Sequence, residues 1–256
     1  MNTRAERRGD HYVVNGQKIW TSYAHYADWM FCLVRTDTGG KKQEGISFLL
    51  IDMKTPGITV RPLPLMNGWA DPNEVFFDNV AVPTENLVYG EGQGWSVAKH
   101  LLGHERLNTG RIGISKRLLA QLKERAAASP DGRGGRLIDD PRFGDRLSRV
   151  EIELMALEIT NLRFLDALRG GRPLGAEVSM LKIRGTEVQQ GLHGLAMQTA
   201  GPLATPRRAV GPADAGTLDA ARTHLAANYA GARATSIYAG SNEIQRNILA
   251  KQYLGL

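Results

Sequence analysis

The chain has 256 residues, enough for one large domain or two of ordinary size with a substantial buried core. Apolar residues make up 42% and charged residues 23%, as in typical soluble proteins, and no apolar run approaches the roughly 20 residues of a membrane-spanning helix. The net charge of +6 is scattered along the chain, which argues against nucleic-acid binding and suits either phosphate-bearing ligands or a surface charged only for solubility. No secretory signal is found and Cys32 is alone, so we expect a cytoplasmic protein without a metal centre or membrane span.

The first third of the chain has the pattern of short β-strands. In "HYVVNGQKIW" the pair Asn15-Gly16 lies between two β-prone runs, which predicts a hairpin turn because both turn residues must adopt positive φ. Further strand-like runs follow, the last being "NEVFFDNVAVP". We therefore predict that residues 1–90 form an antiparallel sheet or part of a barrel.

From about Glu91 the apolar spacing becomes helical. The pattern predicts one long helix over residues 94–129, a second helix before Pro173 and a third helix after it. The second helix carries apolar residues at spacings of three and four: Leu147, Val150, Leu154 and Leu157. A loop rich in Pro and Gly then leads to a last helical region, so residues 91–256 are predicted to form an antiparallel four-helix bundle.

Three separated motifs, "KIWTS", "NEVFFDNVAVP" and "IYAGSNEIQRNILAKQ", occur in the order typical of one family. With them, the chain closely resembles the acyl-CoA dehydrogenases over essentially its whole length. Members of that family have an N-terminal helical domain, a middle β-domain and a C-terminal helical bundle. The resemblance implies that this chain contains part of the middle domain and the bundle, and that the N-terminal helical domain is absent.

The resemblance implies a flavoprotein that oxidises an acyl-CoA thioester to the 2,3-enoyl-CoA. In such enzymes a carboxylate removes the α-proton and the β-hydride passes to N5 of FAD, which performs the redox step. An electron-transfer flavoprotein is the acceptor that this chemistry implies.

The position of the catalytic base departs from the common family pattern. That pattern has Glu directly after the Tyr of the terminal motif, where this chain has Ala239. A branch resembling the isovaleryl-CoA and long-chain acyl-CoA dehydrogenases instead places Glu before Arg on the first helix of the bundle, as Glu105 and Arg106 stand here. By resemblance Glu105 is the base, and Arg106, Ala239 and Gly240 bind substrate. The alternative is a solvated Glu105 paired with a neighbouring cation.

The resemblance also suggests residues that bind FAD. They are Trp20 and Ser22 of the "KIWTS" motif, Gln198 and Gly201 of "MQTAGPLA", and Ser241 after the terminal Gly. Ser241 could equally be only a helix N-cap.

Two departures affect the expected subunit contacts. Pro202 replaces the second Gly of a Gln-x-x-Gly-Gly segment, and Asp140 stands where the family has an Arg that touches the flavin pyrophosphate across a dimer. Two assemblies therefore stay open: a homo-oligomer, or a heterotetramer with a second acyl-CoA dehydrogenase-like subunit. A third interpretation is an inactive truncated remnant or a non-catalytic partner subunit.

Overall fold

Residues 1–204 and 218–255 are described by the computed structural model of the chain, except for the side chains of 103–105, 202–203 and 218–223. Two units can be distinguished by their internal contacts, and each is described by itself. Unit 1 comprises Met1–His104 and unit 2 comprises Glu105–Leu256.

Unit 1 contains a six-stranded sheet. Its strands are β1 (Arg4–Arg8), β2 (His11–Ser22), β3 (Trp29–Arg35), β4 (Ile46–Asp52), β5 (Ile58–Pro62) and β6 (Pro72–Pro83). The spatial order is β4-β3-β1-β2-β6-β5, and helix α1 (Gly94–Glu105) follows. All pairings are antiparallel except a short parallel contact between β1 and β3. The predicted sheet is therefore confirmed, with one parallel pairing that side-chain alternation does not reveal.

The centre of the sheet is the long pair β2 and β6. Tyr12 lies opposite Val82 and Val14 opposite Val80, and all four side chains are at most 1% exposed. Their alternation with exposed positions follows from the two-residue repeat of a strand, which directs every second side chain to the core. This burial fixes the register, because a shift of one residue would expose the whole apolar set.

The predicted hairpin at Asn15-Gly16 is wrong. Both residues lie inside β2, at a register shift between Val14 and Gly16 in the pairing with β6. A Cβ on Gly16 would lie 2.7 Å from the Cα of Thr3, so this glycine permits close approach of the chain start and not a turn. The turn between β1 and β2 is instead at Gly9 and Asp10, where Gly9 has φ of 65°.

Unit 2 is helical in its described part. Its helices are α2 (Ile112–Ala128), α3 (Pro141–Arg169), α4 (Ser179–Ala200), α5 (Leu218–Ala232) and α6 (Asn242–Leu254). The long helix predicted over 94–129 is interrupted: α1 ends at Glu105, a 3₁₀ turn spans Arg106–Gly110, and Arg111 is left-handed with φ of 47°. The break falls at an Arg, a residue type that does not predict a left-handed conformation.

Helix α4 is the centre of unit 2. Residues on all its sides are buried, because α2, α3, α5 and α6 all pack against it. Among its buried residues are four polar ones, Ser179, Lys182, Thr186 and Gln189. Across the described residues, none of the helices combines the length and apolar character needed to cross a bilayer.

Candidate functional site

The Trp20–Ser22 segment ends β2 in a strained conformation. The register with β6 shifts between Lys18 and Thr21, which is a β-bulge. Trp20 has φ of 64° and Tyr23 has φ of 56°, values that bulky residues rarely adopt. The Trp20 side chain is 64% exposed, beside other exposed apolar residues of the same segment. Strain of this kind is typical of functional sites.

Asn73 holds this segment in place. It is completely buried, and its side-chain amide donates to the carbonyls of Thr21 and Asp71 at 3.0 Å each. Its side-chain oxygen lies 2.9 Å from Nδ1 of His25. One side chain of β6 therefore contacts the carbonyl directly before Ser22 and the ring of His25 after it.

Unit 2 contains a cavity of about 260 Å³ close to the terminal motif. It is lined by Asn108, Thr109, Arg111, Lys182, Thr186, Gln189, Thr235, Tyr238 and Ala239. The 3₁₀ turn after Glu105 thus meets the loop of the terminal motif at one cavity. The first part directly follows Glu105, the predicted base, and the second contains Ala239, although well over 100 residues separate them in sequence.

Tyr238 contacts two cations that line this cavity. Nζ of Lys182 donates to the Tyr238 carbonyl oxygen at 2.5 Å and lies 4.8 Å from the centre of its ring. The guanidinium carbon of Arg111 lies 5.6 Å from the same ring centre. Both distances fit cation–π contacts. Burial, with a smaller contribution from the Arg111 charge, lowers the pKa of Lys182.

The loop after Tyr238 is left-handed. Ala239 has φ of 52° and Gly240 has φ of 79°, and a Cβ on Gly240 would meet the side-chain amide of Gln245. Ser241 then starts α6 as its N-cap, since its hydroxyl accepts a bond from the N–H of Ile244 at 3.4 Å. The structure therefore brings Ala239 into the cavity and gives Ser241 a capping contact.

Glu105 is the last residue of α1, and its side chain lies outside the described part of the structure. Its assignment as the base stays a prediction. The next residue, Arg106, donates to the carbonyl of Gly175 at 3.1 Å and does not line the cavity.

The remaining predicted residues lie at the end of α4 and the start of α3. Gln198 accepts a bond from Arg146 at 2.6 Å through its side-chain oxygen, and Gly201 ends α4 with φ of 55°. Asp140 is the N-cap of α3, accepting bonds from the N–H groups of Arg142 and Phe143. The acid at this position thus has a structural contact of its own, whereas the side chain of Pro202 is outside the described residues.

Sequence reasoning missed Asn73, Arg111 and Lys182. Lys182 stands between Leu181 and Ile183 in a helix buried on all sides, which is the one signal that its charge is directed inward. Arg111 and Asn73 have no such signal, since their roles depend on contacts made by distant residues.

Comparison with known proteins identifies the family. The family description "Acyl-CoA dehydrogenase, C-terminal domain" matches residues 92–254, and "Acyl-CoA dehydrogenase, middle domain" matches residues 1–80. The chain is 35% identical to acyl-CoA dehydrogenase IpdE1 of Mycobacterium tuberculosis, over 99% of this chain and 62% of that protein.

Solved structures agree with this result. A chain of the ChsE4-ChsE5 complex from Mycobacterium tuberculosis matches with a TM-score of 0.83 and 32% identity, over 100% of this chain and 64% of that one. A chain of the Tcur3481-Tcur3483 steroid ACAD matches with a TM-score of 0.85 and 25% identity, again over 100% and 64%.

A sheet unit followed by a helical unit is thus shared with dehydrogenases of known structure. The chain belongs to the acyl-CoA dehydrogenase family, whose members are FAD-dependent flavoproteins. The resemblance and the fold class predicted from the sequence are confirmed. The chain spans a little under two thirds of the length of the relatives it matches.

Proposed function

We propose that this chain supplies the base and part of the flavin site of an acyl-CoA dehydrogenase that forms a 2,3-enoyl-CoA. Glu105 takes the α-proton of the acyl-CoA thioester. FAD, when bound, accepts the β-hydride at N5. A carboxylate at this step is expected to contribute at least about a hundredfold to the rate.

The shared cavity is the observation that carries this proposal. Asn108 and Thr109, three and four residues after Glu105, line the same space as Tyr238 and Ala239. This supports a single site that is shared by the base position lost at Ala239 and the one proposed at Glu105. Arg106 is compatible with this arrangement, because its side chain, directly after Glu105 in sequence, bonds to the Gly175 carbonyl.

The Trp20–Ser22 segment fits the flavin. The exposed indole of Trp20 and the hydroxyl of Ser22, two residues later on a bulged strand end that Asn73 contacts, offer a flat apolar surface and a polar atom for a planar ring. Gln198 and Ser241 fit less directly, since each already has a partner in the chain.

For the assembly we propose a second acyl-CoA dehydrogenase-like chain as partner. Two of the matched structures are described by paired names, ChsE4-ChsE5 and Tcur3481-Tcur3483. Asp140 is used as an N-cap where the family has a flavin-binding Arg, so another chain would supply that contact. An electron-transfer flavoprotein as acceptor and a cytoplasmic location belong to the same proposal.

An apolar stripe on α3 offers a surface for this partner. It consists of Ile152, Met155, Ile159, Leu162, Leu165 and Leu168, which are 40–64% exposed. The stripe exposes on the order of 600 Å², a large share of the roughly 800 Å² that each protein buries in a standard interface. Gel filtration of the chain co-expressed with the dehydrogenase-like product of a neighbouring gene tests the pairing. Co-elution supports it, and a complex formed by this chain with itself contradicts it.

The catalytic proposal is tested with the 256-residue chain, alone and co-expressed with that partner. Supplied with FAD, it should become yellow and lose its visible flavin absorbance when acyl-CoA thioesters are added without oxygen. Glu105→Gln should slow this reduction by about a hundredfold or more while FAD stays bound. Glu124→Gln, the same change at an exposed position of α2, should have no effect.

Two results would contradict the proposal. Reduction of Glu105→Gln at the original rate would exclude Glu105 as the base. A chain that stays colourless both alone and with the partner would support the remnant interpretation.

A further inference from the structure

The cavity of unit 2 has an excess of positive charge. Two of its nine lining residues, Arg111 and Lys182, are cations, and within the described part of the chain no carboxylate lines it. An uncompensated charge in a partly enclosed space is unfavourable unless a ligand or solvent balances it.

Lys182 has hydrogen-bonding capacity left over. Lys182 is 3% exposed, and its ammonium group has three N–H donors. Among the described residues the Tyr238 carbonyl is the acceptor it reaches. Burial lowers the pKa of Lys182, which is the sign of a charge that lacks an anionic partner.

Arg111 is presented to the same space by an unusual backbone. It is left-handed, with φ of 47° and ψ of 39°, a conformation that few side chains other than Gly, Asn and Asp adopt readily. Its guanidinium packs on the ring of Tyr238 and has no ion pair with any described residue. Two strained residues, Arg111 and Ala239, thus line one cavity.

The three threonine hydroxyl groups of the cavity already donate within the chain. Thr109, Thr186 and Thr235 each donate to a backbone carbonyl three residues earlier in the chain. Their oxygens can therefore only accept further bonds, so Arg111 and Lys182 are the charged donors of the cavity, beside the neutral side chains of Asn108, Gln189 and Tyr238.

We propose that this cavity binds an oxyanion, a carboxylate or phosphate group of a small ligand, with Arg111 and Lys182 as its charge partners. Its volume is below the roughly 300–1,000 Å³ of pockets that hold whole drug-sized ligands, so it suits one charged group. Both cations also hold Tyr238, and a bound oxyanion would therefore tie the Ala239 loop to α2 and α4. The inference goes beyond the proposed function, because this binding requires neither flavin nor turnover.

Titration calorimetry of the full chain at low ionic strength tests the inference. The probes are inorganic phosphate and glutarate, with glutaramide as an uncharged control. We expect saturable binding of one or both anions, none of glutaramide, and weakening with added salt. Preference for phosphate would identify a phosphate group as the natural ligand, and preference for glutarate a carboxylate on an acyl chain.

Variants separate this site from non-specific attraction. Arg111→Gln removes an exposed side chain and should weaken binding by about tenfold or more, as expected for a charge-assisted pair. Arg117→Gln removes the same charge from an exposed position of α2 and should change little. Lys182→Met should abolish binding, while Ala239→Glu should block it by placing a carboxylate in the cavity.

Three outcomes would overturn the inference. The first is that neither anion binds to the original chain. The second is that Arg111→Gln and Arg117→Gln weaken binding equally. The third is that binding is found only in the variant Glu105→Gln. The last result would mean that the chain's own carboxylate already neutralises the cavity. Circular dichroism of each variant checks that unit 2 is folded. If Lys182→Met is not folded, the result for Arg111→Gln decides whether the cavity binds the anion.

Discussion

At the scale of single residues, Asn73 stabilises the conformation of the Trp20–Ser22 segment. Its side chain makes three contacts while completely buried: it donates to the carbonyls of Thr21 and Asp71 and meets the ring of His25. Buried polar groups must be paired, so this network is more costly to break than an exposed one.

Asn73→Ala should lower the free energy of unfolding of unit 1 by about 1–3 kcal/mol, because it removes a buried side chain that bonds to Thr21, Asp71 and His25. Denaturant unfolding followed by Trp emission measures this, since all four Trp residues lie in unit 1: Trp20, Trp29, Trp69 and Trp95. Asn86→Ala, at a half-buried position, is the matched control and should have little effect. Equal losses in both variants would show that Asn73 has no special role.

At the scale of elements, the close approach of α4 to the 3₁₀ turn Arg106–Gly110 positions the cavity. A Cβ added to Gly185 would lie 2.7 Å from the carbonyl oxygen of Gly110 and 2.8 Å from its Cα. Backbone atoms cannot move aside as a flexible side chain can. The glycine therefore allows the turn that carries Asn108 and Thr109 to rest on α4.

Gly185→Ala should destabilise unit 2 by about 1–3 kcal/mol, the usual cost of overpacking. Gly194→Ala on the same helix has open space around the new Cβ and should instead stabilise α4 by up to about 1 kcal/mol. Thermal unfolding followed by helical circular dichroism should thus shift in opposite directions for the two variants. A gain in stability for Gly185→Ala would mean that the contact with Gly110 is not required.

Sequence patterns predicted the presence of strands and helices better than the residues at which they begin and end. Alternation identified β6, since it follows from burial of one sheet face, whereas β2 was predicted as two strands. The turn signal of Asn15-Gly16 failed because pairing with β6 continues past it. The break at Arg111 was also missed, because a left-handed residue other than glycine leaves no mark in the sequence.

The candidate site was predicted only where motifs carry it. Glu105 and Ala239 were found from the resemblance, and Ala239 lines the cavity. Lys182 was not found, since its contact with Tyr238 joins residues 56 positions apart. Such a contact depends on how α4 packs, which local patterns do not report.

At the scale of the whole molecule, two buried groups are expected to limit the stability of unit 1 at alkaline pH. In unit 1, burial and the hydrogen bond to Glu91 raise the pKa of Tyr12 to about 12, and burial raises the pKa of the Cys32 thiol to about 11. Both groups are neutral when protonated, and their ordinary pKa values are about 10 and 8.5. Their contribution to stability is complete below those ordinary values and is lost as pH rises to the folded values.

Lys18 acts in the opposite direction in the same unit. Burial lowers its pKa, so its neutral form is favoured in the folded state and rising pH removes a penalty. Comparison of variants is therefore needed to isolate Tyr12 from the other groups.

Tyr12→Phe should reduce the loss of stability between about pH 10 and 12, since the variant has no phenol to ionise. Its stability at neutral pH should also fall, because the bond from the Tyr12 hydroxyl to Glu91 is lost. Tyr23→Phe, at a tyrosine that is 57% exposed, should leave the slope unchanged. Denaturant midpoints from Trp emission at several pH values give the slope for unit 1, while helical circular dichroism follows unit 2. If Tyr12→Phe and the original chain lose stability in parallel up to pH 12, the buried phenol does not govern the alkaline limit of the sheet unit.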